Sequence, residues 1–214
     1  MAAALRVELA HGGMTVLAPG REELDVCSAA SVTAYFGGVS AVELLVLNAA
    51  IVRDQSAAQM EPSTFAEVLE TNLTGAMRCA KAAFLRLAEE GSTRAASHGL
   101  GHVVFIGSFS GLSGAVGQAN YAAAKAGMIG LTQALAAEWG RVGLRVNCIL
   151  PGFMETKMTA PLSEAVRERA RSRHVLGRFN EPARAAKFVR FLHEEMLHTS
   201  GQVFNLDSRI HRWA

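Results

Sequence analysis

Tyr121 and Lys125 stand four residues apart in Gln118-Ala119-Asn120-Tyr121-Ala122-Ala123-Ala124-Lys125, and Ser108 lies thirteen residues upstream of the tyrosine. On a helix this spacing puts the tyrosine and the lysine on one face, a single turn apart. An ammonium held beside a phenol favours the phenolate, so Lys125 is expected to pull Tyr121 down from its usual value of about 10. A phenol tuned in this way can give and take a proton at neutral pH, as general acid–base catalysis requires. Ser108 follows the apolar run His102-Val103-Val104-Phe105-Ile106 and would set a hydroxyl beside the same reacting oxygen. Tyr-x-x-x-Lys on its own marks little, because any helix can carry the pair into solvent. The serine spacing and the small residues around Tyr121 are what give it weight.

The elements that must position these groups are legible from periodicity. Helices are expected over 2–11, from a Ser28 cap to Phe36, over 63–90, 119–139, 161–172 and 182–195. Short apolar runs bounded by glycine or proline predict strands at 14–18, 24–26, 42–47, 103–106, 144–150 and 202–206. Polar loops are expected at 91–101 and in the Gly/Ser-rich stretch after Ile106. This alternation predicts one α/β domain over residues 1–214, a doubly wound parallel sheet of Rossmann-like type. Ligands bind such sheets beyond the carboxyl ends of the strands, where Asn48, Ser108 and Pro151 fall.

Composition narrows the function classes. Half of the residues are apolar and 20 are glycine, which fits a packed domain rather than a disordered chain. A formal charge of +2 does not point to a nucleic-acid partner. Cys27, Cys79 and Cys148 are dispersed and odd in number, so they read as small apolar residues, with neither a disulfide framework nor a metal site. The start is charged too early for a signal peptide and no apolar run reaches membrane-spanning length, so a soluble, cytoplasmic protein is expected.

Several further motifs, in order, resemble the short-chain dehydrogenases/reductases, and within them the 3-oxoacyl-acyl-carrier-protein reductase branch. Leu47-Asn48-Ala49-Ala50 resembles the family's Asn-Asn-Ala-Gly after the fourth strand, and Asn72 matches the asparagine of the following helix. Ile106-Gly107-Ser108 resembles the strand end with the family's serine, Tyr121 and Lys125 match its catalytic pair, and Pro151-Gly152-Phe153-Met154-Glu155-Thr156 resembles its Pro-Gly motif. The resemblance covers about residues 42–206. It implies hydride transfer between a nicotinamide and a carbonyl. Tyr121 would protonate the developing alkoxide while Ser108 bonds the same oxygen. Lys125 would lower the tyrosine pKa and anchor the nicotinamide ribose, and Asn72 would hold a water in a proton relay.

The same resemblance assigns cofactor contacts to Asn48, Ala49, Ala50, Pro151, Gly152 and Thr156, besides Tyr121 and Lys125. Asp25 and Val26 correspond to an Asp-Val strand facing the adenine, and Arg21 to a cation for the 2′-phosphate of NADP, so NADPH is the expected cofactor. Ala50 and the ending Leu206-Asp207-Ser208-Arg209 depart from the family's glycine and Val-Asp-Gly-Gly. The family's opening strand and its Thr-Gly-x-x-x-Gly-x-Gly loop have no counterpart here, so an N-terminally truncated version of the fold is expected. Either 14–18 pairs directly with 42–47, or it stands in for the first strand with Pro19-Gly20-Arg21 as a phosphate turn; the first is preferred. Without the loop a second function is open, that of a non-catalytic subunit partnering a complete reductase.

Arg167, Arg169, Arg171 and Arg173 alternate along one segment, with Arg178 beyond. In the resembling reductases this segment covers the active-site mouth, and a basic lid suits an acyl thioester on acyl carrier protein or coenzyme A. A solvated helix balanced by Glu164 and Glu168 is the other reading. The resemblance also implies a dimer or tetramer of this chain, or a hetero-oligomer with a related reductase, through the helices at 63–90 and 119–139.

Overall fold

The computed structural model describes residues 1–94, 101–156 and 158–210. Four parallel strands lie side by side in chain order: β1 (Leu44–Leu47), β2 (His102–Ile106), β3 (Arg145–Leu150) and β4 (Val203–Asn205). The helices are α1 (Ala2–His11), α2 (Ala29–Gly37), α3 (Pro62–Leu69), α4 (Gly75–Arg94), α5 (Ser110–Ser113), α6 (Ala119–Trp139), α7 (Glu164–Ser172) and α8 (Pro182–Glu194).

The pleat sorts each strand between two cores, because successive side chains point to opposite faces. Val103 and Phe105 of β2, with Val146, Cys148 and Leu150 of β3, pack against α2, α4 and α6. Val104, Ile106 and Ile149 face the other way, onto Leu5 of α1 and Ala186, Val189 and Leu192 of α8. Strands β2 and β3 are buried throughout, including the polar His102, Arg145 and Asn147 toward their N-terminal ends. Helices α1 and α8 are also joined by the Glu8–Arg190 ion pair at 2.7 Å.

Polar side chains finish the helix ends. Ser28 caps α2 by accepting from the Ser31 N–H at 3.2 Å. At the far end of the sheet, Arg145 donates to the carbonyls of Leu192, His193 and Met196 and so satisfies the C-terminus of α8.

Two expected strands do not form. The Met14 N–H bonds back to the Leu9 carbonyl to close α1, and the residues after it stay largely exposed, Leu17 at 62%. Asp25 folds its own segment into a turn: its carboxylate accepts from the Cys27 N–H and its N–H donates to the Ser31 hydroxyl. Such local side-chain bonds compete with strand ladders. Among the described residues, β1 therefore has β2 as its one neighbour, and the segment 14–18 takes neither of the positions expected for it.

Other differences are local. The expected helix over 63–90 is divided into α3 and α4 by a π turn at Glu70–Thr74. A single helical turn, α5, occupies the Gly/Ser-rich stretch after β2. Helix α4 extends into the expected 91–101 loop as far as Arg94, and 95–100 lie outside the described residues. No described helix is long and apolar enough to cross a membrane.

Candidate active site

Ser108 owes its position to the residue before it. The Gly107 N–H donates to the Ile149 carbonyl at 2.8 Å, which carries the β2–β3 ladder one residue past the strand. A Cβ at Gly107 would stand 2.6 Å from Leu150 and 2.7 Å from the Cys148 sulfur, so only glycine lets this strand end lie so close to β3. The Ser108 hydroxyl then accepts from the Ser110 N–H at 3.2 Å and lies near enough to the Tyr121 phenol to favour its ionised form.

The start of α6 is fastened to the loop that follows β1. Asn120 donates to the Arg53 carbonyl at 3.0 Å, Gly117 accepts from the Gln55 N–H at 2.8 Å, and the Gln118 amide reaches the Asp54 carboxylate at 3.1 Å. Ser110 in turn donates to the Gln118 amide oxygen at 3.2 Å. The loops after β1 and β2 and the first turn of α6 thus form one hydrogen-bonded rim around Tyr121. Sequence reading did not foresee Asp54 and Gln118 in this role; they are 64 residues apart, and no spacing signal links them.

Lys125 is 2% exposed, and its ammonium donates to the Ile106 carbonyl at 2.7 Å and lies 5.6 Å from the centre of the Tyr121 ring. Tyrosine and lysine do share a face of α6. The electrostatic consequence differs from the expectation, however. Burial raises the Tyr121 pKa, the Ser108 hydroxyl opposes this, the Asp54 charge adds to it, and the balance is upward. The ammonium is committed to the Ile106 carbonyl and does not lower the phenol. Lys125 itself is brought down to about 8 by burial.

Asn72 is fully buried in the π turn, and both ends of its amide are spent on one residue. Its oxygen accepts from the Ile51 N–H at 2.8 Å and its nitrogen donates to the Ile51 carbonyl at 2.9 Å. The side chain thus ties the β1 loop to the turn. A π turn at this point re-spaces the main-chain ladder, as such turns do at functional sites.

The remaining expected site residues divide into two groups. Asn48, Ala49 and Ala50 follow β1, and Pro151, Gly152 and Thr156 follow β3, so both sets sit at the carboxyl edge with Ser108. Thr156 lies with Glu155, Thr159, Ala160 and Arg167 on an open cleft of about 410 Å³. Arg21, Asp25 and Val26 belong to the turn before α2 and not to a strand. Asp25 is engaged by its own turn and by Arg21 at 3.8 Å, and the Val26 carbonyl accepts from Arg78.

Above the β3 end, Arg167 binds the Leu162 and Ala160 carbonyls and Glu155, and Arg171 pairs with Glu168 at 2.6 Å. Arg169, Arg173 and Arg178 are exposed, with no acidic partner among the described residues. The arginine segment is thus internally balanced for two residues and open for three.

Residues fit for the nicotinamide end of a dinucleotide are present: the buried Lys125 ammonium has a third N–H beyond those directed at the Ile106 carbonyl and the Met128 sulfur, and Thr156 and the Pro151-Gly152 turn sit at the adjacent strand end. No strand–glycine loop–helix cradle for a pyrophosphate occurs among the described residues.

A parallel sheet with Ser, Tyr and Lys at its carboxyl edge defines a class, and the comparisons agree. The family model described as enoyl-(acyl carrier protein) reductase matches residues 8–209. The chain belongs to the short-chain dehydrogenase/reductase family, whose members are NAD(P)-dependent oxidoreductases. It is 36% identical over 182 residues to the 3-oxoacyl-acyl-carrier-protein reductase FabG of Vibrio cholerae, covering 81% of this chain and 70% of the relative. With the same-named protein of Aquifex aeolicus it shares 36% over 170 residues, 79% of this chain and 65% of the relative. With the acetoacetyl-CoA reductase of Rhizobium meliloti it shares 40% over 152 residues, 71% of this chain and 60% of the relative. The chain spans about two thirds of the length of these relatives.

Proposed function

We propose that this chain is an NADPH-linked carbonyl reductase acting on 3-oxoacyl thioesters. The observation that carries the reading is the grouping at the carboxyl edge of β2: the Ser108 hydroxyl near the Tyr121 phenol, and Lys125 buried on the tyrosine's face of α6. Lys125, Thr156 and the Pro151-Gly152 turn would hold the nicotinamide ribose and ring, and the bound nicotinamide supplies the hydride. Ser108 donates to the carbonyl oxygen as charge grows on it, where a preplaced donor lowers the barrier most. Tyr121 delivers the proton to that oxygen. Its raised pKa keeps it protonated at neutral pH, the form that a reduction consumes. Asn72 acts by fixing the β1 loop to the π turn.

The thioester is supported by the relatives' names and by three exposed arginines in and after α7. Arg169, Arg173 and Arg178 offer cations to the phosphates of coenzyme A or to an acidic acyl carrier protein. A homo-oligomer is expected, through α4 and α6. A second reading, a non-catalytic subunit that partners a complete reductase, is favoured by one observation. The described residues hold no pyrophosphate cradle, and Arg21 and Asp25, expected at the adenine end, pair with each other.

Titrating the purified chain with NADPH by calorimetry, then adding acetoacetyl-CoA, separates the two. Micromolar binding followed by NADPH oxidation is the expected result. No binding by the chain alone, with activity appearing only beside a complete reductase, would establish the second reading.

A further inference from the structure

The segment after β4 departs from the resembling family in carrying Arg209 where that ending has glycine, and it surrounds a deeply buried carboxylate. The Asp207 side chain is 1% exposed. A carboxylate this far from water is costly unless charged partners face it. One does. The Arg209 guanidinium donates to Oδ2 through Nε at 2.7 Å and through Nη2, and the Arg209 N–H donates to Oδ1 at 2.9 Å. His174, its side chain fully buried, packs beside it, with Nε2 3.5 Å from Oδ2 and not hydrogen-bonded, while Nδ1 donates to the Ala170 carbonyl at 2.8 Å.

Each neighbour belongs to a different wall of the site. Arg209, held by Asp207, sets its guanidinium carbon 4.1 Å from the centre of the Phe109 ring, a cation–π distance, and Phe109 directly follows Ser108. His174 ends the arginine segment of α7, and the next two N–H groups, of Val175 and Leu176, donate to the carbonyl and hydroxyl of Ser208. Gly152, at φ +86°, packs directly on the carboxylate stem: a Cβ there would lie 2.6 Å from the Asp207 Cβ.

We infer that Asp207 is a positioning residue: by clamping Arg209 onto Phe109 it holds the Ser108 hydroxyl against Tyr121, and through Gly152 and His174 it fixes the β3 turn and the lid to the same point. Asp207 touches neither substrate nor the reacting atoms; it acts through Ser108. The inference rests on the reading of Ser108 and Tyr121 as the proton-transfer pair, so its test must report on that pair without needing turnover.

The chain has two tyrosines, so a Tyr35→Phe background leaves Tyr121 alone to be followed by NMR of a carbon-13-labelled phenol carbon across a pH titration. Removing a negative charge by Asp207→Asn would, through space alone, ease ionisation and move the Tyr121 titration down. Loss of the Ser108 hydroxyl from its side moves it up, because that hydroxyl opposes the rise caused by burial. The expected result is an upward shift in Asp207→Asn, an upward shift in Ser108→Ala, and a double variant shifted no further than Ser108→Ala. Phe109→Leu cuts the same clamp without changing any charge, and it should also shift Tyr121 upward. It keeps the question answerable if Asp207→Asn does not fold. A downward or absent shift in the clamp variants, or additive shifts in the double variant, overturns the positioning role and leaves the proton-transfer pair standing. An unshifted Tyr121 in Ser108→Ala overturns both.

Discussion

The Lys125 ammonium donates to the Ile106 carbonyl at 2.7 Å, so the buried cation of the site is fixed to the last residue of β2. This bond joins α6 to the strand end that carries Ser108. It also sets the cost of the site. A lysine held at about 8 by burial is less welcome charged than it is in water, and the fold must absorb that penalty.

Lys125→Met should therefore stabilise the protein at pH 7 by about 2 kcal/mol, the burial penalty less one lost hydrogen bond. The gap has a pH signature. Below about 8 both folded and unfolded lysine are charged and the penalty is complete; from there to the ordinary value of 10.5 the unfolded chain holds the extra proton, so the wild type gains on the variant. Urea unfolding of both proteins between pH 6 and pH 10 checks this, with a constant gap as the contrary result.

Acid should act through the opposite end of the sheet. Burial and the Arg145 charge lower His193 to about 4 and His102 well below its ordinary 6.5. Both are neutral in either state above 6.5. As pH falls from there toward 4, the unfolded chain takes protons that the folded one refuses, and stability drops, by about 2–3 kcal/mol for His193. Thermal unfolding of His193→Gln should show a clearly shallower decline over that range than the wild type.

Gly107→Ala puts a methyl group within 2.7 Å of Leu150 and Cys148. The strand end must shift, at about 1–3 kcal/mol of stability. Ser108 moves with it, so turnover should fall further than the loss of folded protein accounts for. Chemical denaturation and a steady-state assay on the same preparation separate the two effects.

Asn72→Ala leaves the N–H and carbonyl of Ile51 without their amide partners. A loss of about 2–3 kcal/mol is expected, since two main-chain groups are left unpaired. Hydrogen exchange should show the loop after β1 opening well before the β2–β3 ladder.

What the sequence disclosed and what it withheld have physical reasons. Strands β2 and β3 and helix α6 were legible because both-face burial and an alanine-rich period leave plain traces. The Tyr121–Lys125 face followed from helical spacing alone. The strands expected at 14–18 and 24–26 failed because Met14 closes α1 and Asp25 bonds its own turn, contacts that apolar patterning does not register. The sense of the Tyr121 shift was misjudged because it depends on depth of burial and on the Ile106 carbonyl, which a four-residue spacing does not reveal. Asp54 and Asn72 bond residues 64 and 21 positions away, so their contacts became visible only once the chain was folded.

The account turns on Tyr121 as the proton donor in NADPH-dependent carbonyl reduction. The most direct measurement is the rate of NADPH oxidation with acetoacetyl-CoA by the wild type and by Tyr121→Phe, which keeps the ring and removes the hydroxyl. The account predicts a wild-type rate dependent on both substrates and a loss of about 10²–10⁴-fold in the variant, with its unfolding midpoint little changed. Equal rates in the two proteins would contradict it.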